Sequence, residues 1–246
     1  MNEEMIKVLK YLRLSATLAH WDDYVAKAKR REYSPVRLLE HVLKEEYQHK
    51  RENARALRVR KACIPEILAI ETFPFDRQPA LNRNKVMSLY DGFDYMTKNR
   101  NIIWVGPTGV GKSGLATGFL LHALNRGHTG RYILFQDLVS ALHNSSADHS
   151  EEKLLKKFAR YDCLLIDELG YIEIEPTHVG LFFTLLQKRH HRKPTLITSN
   201  LGFSEWNTFL KNAHLTAALI DRLTENGYVV NMRKCVSLRP KLSEPV

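Results

Sequence analysis

The apolar residues in the first quarter of the chain recur every three or four positions. The two clearest series are Ile6, Leu9, Leu12, Ala16 and Leu38, Leu39, Val42, Leu43. This spacing is typical of amphipathic helices and lacks the alternation of strands. Ser34 and Pro35 suit the N-cap and first turn of a helix, which we expect to reach about Lys61 before Pro65 ends it. The pattern predicts a small all-helical N-terminal domain, residues 1–65.

The pattern changes class in the second part of the chain. Short apolar runs alternate there with segments long enough for helices; the runs are Ile102 to Val105, Tyr132 to Phe135, Cys163 to Ile166 and Thr195 to Thr198. Such alternation indicates βαβ units and a parallel sheet. Residues 66–84 contain prolines and show no clear period, so we expect a linker or wrapping segment there. The sequence therefore predicts an α/β domain over residues 85–246.

Composition excludes several classes of protein. The 246 residues are 44% hydrophobic, which can bury a core and excludes wholesale disorder or a fibre. Three widely spaced cysteines fit neither a disulfide framework nor a metal site, and we expect reduced thiols in a cytoplasmic protein. The acidic N-terminus and the lack of a long apolar run argue against secretion and against a membrane location. The net charge of +10 favours a polyanionic partner such as nucleic acid.

Two basic clusters are candidate DNA contacts. The first, near the end of the predicted helix, contains Lys50, Arg51, Arg55 and Arg58; the second contains Lys156, Lys157 and Arg160. Cations clustered on a helix release counterions when they dock on DNA. Solvated helix faces are the alternative interpretation of both clusters, and the sequence leaves that choice open.

A complete phosphate-binding loop follows the first predicted strand. It consists of Gly106, Pro107, Thr108, Gly109, Val110, Gly111, Lys112 and Ser113, and a helical pattern follows it. The glycines allow successive N–H groups to face phosphate oxygens beside a helix N-terminus. In such a loop Lys112 reaches the β- and γ-phosphates, and the Ser113 hydroxyl is a ligand of Mg²⁺. The loop predicts binding of ATP with Mg²⁺.

Polar side chains at the ends of two later strands complete the candidate site. Asp167 and Glu168 close one strand, and we assign Asp167 to the metal and Glu168 to the attacking water. The second acid favours hydrolysis, because a kinase must exclude water. Asn200 follows another strand and can contact both the γ-phosphate and that water. We expect these residues to form one ATPase site.

The ordered set of motifs resembles the AAA+ ATPases. Within them it is similar to the IstB-like transposition helper proteins, which share a branch with DnaC-type helicase loaders. The segments that carry the resemblance are YSPVRLLEHVLKEE at 33–46, GPTGVGKS at 106–113, LLIDELGY at 164–171, TSNLGFSEW at 198–206 and AALIDRLTENGYVV at 217–230. Together these segments are far more selective than the phosphate loop, which many families share.

The resemblance implies an ATPase that assembles into a ring or helical oligomer on double-stranded DNA. It would recruit or activate a DDE transposase encoded by the same insertion sequence. It implies that Arg222 is the arginine that completes a neighbouring subunit's site, with Arg189 as a second candidate for that contact. Because only 24 residues follow Arg222, we expect a parallel AAA+ sheet without a full helical lid. We expect His190 and His191 to be exposed or to face DNA rather than to bind a metal.

Other functions remain open on the sequence alone. A helicase loader would use the same ATPase residues but act on single-stranded DNA. A nucleotide-gated DNA scaffold would assemble with negligible turnover. A small-molecule kinase would need phosphate-clamping arginines in a mobile lid, which we do not find in the sequence.

Overall fold

The computed structural model describes residues 1–239, apart from the side chains of residues 176 and 177. Contacts within the chain separate two units, residues 1–57 and the residues from 58 onward. The division falls inside one long helix, between Leu57 and Arg58.

The N-terminal unit is helical, as the apolar spacing predicts. Its helices are α1 (Glu3–Tyr11), α2 (Ser15–Ala19), α3 (Trp21–Arg30) and the first part of α4 (Pro35–Ala62). The predicted start of α4 is confirmed, because the Ser34 hydroxyl accepts the N–H of Arg37 at 3.3 Å. Glu46 of α4 is buried, and its Oε2 accepts hydrogen bonds from the N–H and the hydroxyl of Thr17. This carboxylate therefore ties α2 to α4.

The second unit is built on a parallel sheet. Its strands are β1 (Asn101–Val105), β2 (Gly130–Leu134), β3 (Cys163–Leu169), β4 (Thr195–Ser199) and β5 (Gly227–Asn231). The helices around them are α5 (Arg83–Gly92), α6 (Asp94–Thr97), α7 (Lys112–Asn125), α8 (Phe135–Ala147), α9 (Glu151–Arg160), α10 (Pro176–Arg189), α11 (Trp206–Leu210) and α12 (Ala213–Glu225). In the described residues the strand order is β2-β3-β4-β1-β5. This arrangement confirms the predicted α/β fold with a helical N-terminal region.

Both faces of the sheet are covered, which explains the continuous apolar runs of the sequence. Successive side chains of a strand point to opposite faces. Accordingly Ile103 packs in one core cluster with Phe182 and Trp206, whereas Trp104 packs in the other with Phe119. All five residues of β1 are buried. A strand buried on both faces needs apolar residues at nearly every position.

The four predicted strands are confirmed with small shifts of their ends. The largest is in β3, which extends three residues beyond Ile166 to Leu169. β2 ends one residue early, at Leu134, because Phe135 already begins α8. The edge strand β5 was not predicted as a strand, and its residues are only partly covered or exposed. Its pairing with β1, from Asn101 with Gly227 to Val105 with Asn231, is a long-range contact that no local pattern reveals.

Residues 66–84 contain 3-10 turns at Ile70–Thr72 and Phe75–Arg77, and this segment packs against the phosphate loop. The buried Gln78 donates from Nε2 to the carbonyls of Val110 and Val236, at 3.2 and 2.6 Å, and its Oε1 accepts the N–H of Val236. The N–H of Leu238 donates to the carbonyl of Gly109 at 2.8 Å. Gln78 therefore joins the phosphate loop to residues 236–238 from the other end of the unit.

The three cysteines of the described residues, Cys63, Cys163 and Cys235, are free thiols. Among residues 1–239, no helix combines the length and the apolarity that crossing a bilayer requires.

Candidate nucleotide-binding site

The predicted site residues come from three neighbouring strands that end at one edge of the sheet. β4 lies between β1 and β3, with Val105 in register with Ser199 and Leu169 also paired with Ser199. The N–H of Gly106 donates to the Ser199 carbonyl at 3.1 Å, so the phosphate loop starts directly beside the end of β4. The strand order thus gathers the phosphate loop, Asp167, Glu168 and Asn200 at the carboxyl edge.

The phosphate loop has the backbone that its glycines predict. Gly109 and Gly111 have φ of 83° and 95°, the left-handed region that other residues rarely adopt. Gly111 is also constrained by space, because a Cβ there would lie 2.5 Å from the ring of Phe73. Replacing Gly111 would therefore disturb both the loop and the segment that packs on it.

Lys112 begins α7 and is buried at the mouth of the loop. Its Nζ donates to the carbonyl of Pro107 at 2.8 Å, a contact that phosphate oxygens can replace. Burial lowers the pKa of Lys112 below that of an ordinary lysine, and the carboxylates of Asp167 and Glu168 partly oppose this shift. The cation is thus held inside the site, where a phosphate is its natural counter-charge.

Asp167 is held in place by hydrogen bonds from three hydroxyl groups. It is buried, and its Oδ1 accepts from the Ser113 hydroxyl at 2.9 Å while its Oδ2 accepts from the Tyr132 hydroxyl at 2.9 Å. The Thr198 hydroxyl also donates to Oδ1. A hydroxyl and a carboxylate side by side are oxygen donors of the kind that Mg²⁺ takes together with phosphate oxygens. The pair predicted to hold the metal is therefore adjacent in the structure and fits that ion.

Glu168 is also a carboxylate, but its exposure, its backbone conformation and its contacts differ from those of Asp167. Its side chain is exposed, its φ is 60°, and its N–H donates to the Thr198 hydroxyl at 3.0 Å. A left-handed backbone at a residue without a glycine's freedom is uncommon, and such residues cluster at functional sites. The two consecutive carboxylates therefore have different surroundings. Asp167 is fixed inside the site, and Glu168 faces solvent.

Asn200 follows the last residue of β4. Its Oδ1 is buried and has no hydrogen-bond partner among the residues that the structure describes. A buried acceptor without a partner is costly, so it indicates a group that arrives with a ligand or with water. The geometry is consistent with the predicted contact to phosphate or water.

Arg222 lies on α12, immediately before β5. Its guanidinium carbon is 4.5 Å from the centre of the Phe183 ring, and its Nη1 donates to the Ala218 carbonyl at 3.1 Å. Both contacts lie within the same chain. Its proposed action on a neighbouring subunit stays a prediction.

The interpretation of Arg189 as a contact to a neighbour is wrong. Arg189 is 1% exposed, and its guanidinium donates to the carbonyls of Phe158, Tyr161 and Pro194 at 3.0, 2.7 and 2.6 Å. Burial lowers its pKa to about 10, so it remains charged at neutral pH. A run of basic residues hides this role, because the sequence does not reveal which of them turns inward.

The predicted DNA contacts lie on two separate helices. In α4, Lys50 and Arg51 are exposed, whereas Arg58 is partly covered and donates from Nε to the Leu124 carbonyl at 3.0 Å. In α9, Lys156 pairs with Glu152 at 2.7 Å. Lys153, Lys156, Lys157 and Arg160 line one depression beside Tyr161. Arg55 also lies in α4.

The sequence did not indicate the side chains that hold the Asp167 carboxylate in place. Tyr132 comes from β2 and Thr198 from β4, on either side of β3. Neither has a motif of its own; only the threonine beside Ser199 and Asn200 could have been suspected. Their roles depend on strand order, which brings both hydroxyls to Asp167.

Comparison with known proteins identifies the family of this chain. A family model for IstB-like ATP binding proteins matches residues 7–244, nearly the whole chain. The chain belongs to this family. Curated relatives include the ATP-binding protein of insertion sequence IS232 from Bacillus thuringiensis subsp. berliner, 28% identical over 94% of this chain and 92% of that protein. The ATP-binding protein of insertion sequence IS21 from Pseudomonas aeruginosa is 26% identical over 94% and 86%.

Solved structures support the same AAA+ fold for this IstB-like protein. DnaI has a TM-score of 0.54 at 21% identity and covers 61% of this chain and 84% of its own. The DnaC helicase loader has a TM-score of 0.53 at 19% identity, covering 61% and 87%. The predicted family and the AAA+ fold are thereby confirmed, and the description of the family as ATP binding supports a nucleotide-binding role.

Proposed function

We propose that this protein is a cytoplasmic, Mg²⁺-dependent ATPase that oligomerises on double-stranded DNA and recruits or activates a DDE transposase from the same insertion sequence. The observation that carries the ATPase part is the contact between Ser113 and Asp167 beside the phosphate loop. Membership of the IstB-like family, with relatives named as insertion-sequence proteins, supports the transposition part.

Each residue of the site has a defined task in this proposal. The loop N–H groups and Lys112 bind the phosphates, while Ser113 and Asp167 hold the metal ion. Mg²⁺, when bound with ATP, supplies positive charge to the β- and γ-phosphate oxygens. Glu168 faces the solvent side of the site, where it orients water and accepts its proton. Asn200 positions the same water against the γ-phosphate.

Oligomerisation adds the missing cation. Charge that develops on the transferred phosphoryl group is stabilised by an arginine, an effect worth on the order of 10³ to 10⁵ in rate. We assign this role to Arg222 acting on the neighbouring subunit. Within one chain the guanidinium lies over Phe183 and donates to the Ala218 carbonyl, so these two contacts would give way when it reaches a neighbour.

DNA binding in this proposal depends on charge rather than on base reading. The cations assigned to phosphate contacts are the exposed ones of α9 and, separately, those of α4. Such contacts make affinity fall steeply with salt and give little sequence preference.

The deciding experiment compares assembly on double-stranded and single-stranded DNA of equal length. Sedimentation is measured with ATP and Mg²⁺ while phosphate release is followed in the same samples. We expect large complexes on duplex DNA with slow hydrolysis, and none with Lys112→Ala, which cannot hold the phosphates. A preference for single strands would identify a helicase loader, and assembly without phosphate release would identify a scaffold. Assembly by Lys112→Ala equal to that of the wild type would contradict an ATP-dependent switch.

A further inference from the structure

Three side chains meet at the amino edge of the sheet, opposite the nucleotide site. His190 and His191 follow α10 and precede β4, and Glu225 ends α12 just before β5. The Nε2 atoms of both histidines face the same oxygen, Oε2 of Glu225, at 3.5 and 3.9 Å. The sequence argued against a metal at these histidines, because it shows no Cys or His partner at metal-ligand spacing; the carboxylate lies more than thirty positions after them.

These distances suit a shared metal ion better than direct hydrogen bonds. Hydrogen bonds between nitrogen and oxygen have lengths of about 2.7–3.2 Å. Zinc bound by histidine nitrogen and carboxylate oxygen at about 2.0–2.2 Å in a tetrahedron separates its ligand atoms by about 3.3 Å. Candidate ligand atoms of the three residues all lie within 4.8 Å of one another. Small side-chain rotations therefore suffice to close the group around an ion.

The surroundings hold the side chain of His190 and the backbone of His191. His190 has a side chain only 19% exposed, and the centre of its ring lies 3.9 Å from that of the His191 ring. The carbonyl of His191 accepts from the Asn99 side chain at 3.3 Å, while Asn226 donates to the Asn99 carbonyl at 3.3 Å. These two bonds hold the backbone that carries the His191 ring.

We propose that His190, His191 and Glu225 form a binding site for a divalent transition ion of the zinc class. Two imidazoles and one carboxylate favour Zn²⁺ over Mg²⁺, which prefers an all-oxygen shell. The fourth position is left to water. The site is separate from the Ser113 and Asp167 pair, which lies at the other edge of the sheet.

The position of the site suggests what a bound ion would change. Glu225 lies three residues after Arg222 on α12, so an ion would fasten the end of this helix to the segment between α10 and β4. If Arg222 acts on a neighbouring subunit, as the proposed function requires, the ion would also steady that arginine. Metal binding itself does not depend on ATP hydrolysis or on DNA.

The test is a Co²⁺ titration of the full chain without nucleotide, after treatment with a chelator and in excess Mg²⁺. Tetrahedral Co²⁺ absorbs visible light strongly, and added Zn²⁺ should remove the signal. We expect His191→Asn and Glu225→Gln each to weaken Co²⁺ binding by at least about 10-fold, as perturbing even the outer partners of such sites does. Asparagine is chosen because His191 has a φ of 55°, which asparagine tolerates.

A second group in the chain is the competing candidate that the experiment must separate from the first. His143, Glu175 and His178 also place candidate ligand atoms within 4.8 Å of one another. We expect His143→Asn to leave the Co²⁺ signal unchanged. Absence of a tetrahedral signal in the wild type, its survival in both His191→Asn and Glu225→Gln, or its loss in His143→Asn would overturn the proposal. Far-UV circular dichroism and ATP binding confirm that each variant is folded, so failure of the metal site is distinct from failure of the ATPase.

Discussion

The two edges of the parallel sheet use charged residues in opposite ways. At the carboxyl edge, Lys112 contacts a backbone carbonyl, Glu168 faces solvent and Asn200 has an unsatisfied oxygen. At the amino edge, the Arg189 guanidinium donates hydrogen bonds to backbone carbonyls and to the hydroxyl of Thr195. Polar groups that satisfy one another stabilise a fold, whereas groups left partly unsatisfied are available to a ligand. The difference teaches that burial alone does not mark a functional charge.

The largest effect should come from breaking the chemistry at the carboxyl edge without touching the fold. Glu168→Gln removes the group assigned to accept the proton, and we expect kcat to fall about 10²- to 10⁴-fold. ATP affinity and the melting temperature should stay unchanged, because the side chain is exposed. Steady-state phosphate release and nucleotide binding measure the two quantities. Glu173→Gln, at another exposed acid, is the control; equal rates in Glu168→Gln and wild type would remove Glu168 from the mechanism.

The converse change breaks the fold at the amino edge. Arg189→Leu leaves several buried carbonyls without donors, and we expect unfolding to become easier by about 3 kcal/mol. Chemical denaturation gives the free energy, and ATP binding well below the melting temperature should be retained. Arg192→Leu replaces an exposed neighbour and should change stability by no more than about 0.5 kcal/mol. If both variants were equally stable, the structural role of Arg189 would be refuted.

A smaller effect is expected from removing a hydroxyl that orients Asp167 and does not itself react. Tyr132→Phe removes one hydrogen bond to Asp167, a loss of about 1 kcal/mol that corresponds to roughly fivefold in kcat. A higher Mg²⁺ concentration should restore part of the rate, because the hydroxyl acts through the metal-binding carboxylate. Tyr11→Phe, at a side chain 88% exposed, is the matched control. A rate loss that Mg²⁺ does not affect would argue against this role.

Much of the site could be predicted because its parts are local. Strand, glycine-rich loop and helix follow one another directly, and the two acids directly follow a later apolar run. Tyr132, Thr198 and Gln78 could not be found in this way, since their partners depend on strand order and on a long-range packing contact. Arg189 was misassigned for a related reason: charge is visible in a sequence, but the direction of a side chain is not. The match of Glu225 to the two histidines also arises only when α12 folds beside the sheet.

The hydrogen bonds of Gln78 have a consequence for any attempt to shorten this protein. Gln78 and Phe73 lie upstream of α5, yet one braces the carbonyl of Val110 and the other packs on Gly111. A fragment that starts at residue 85 would keep every residue of the phosphate motif and lose two of the supports that shape it. The smallest fragment able to bind a nucleotide therefore begins well before the phosphate-loop motif by which such proteins are recognised.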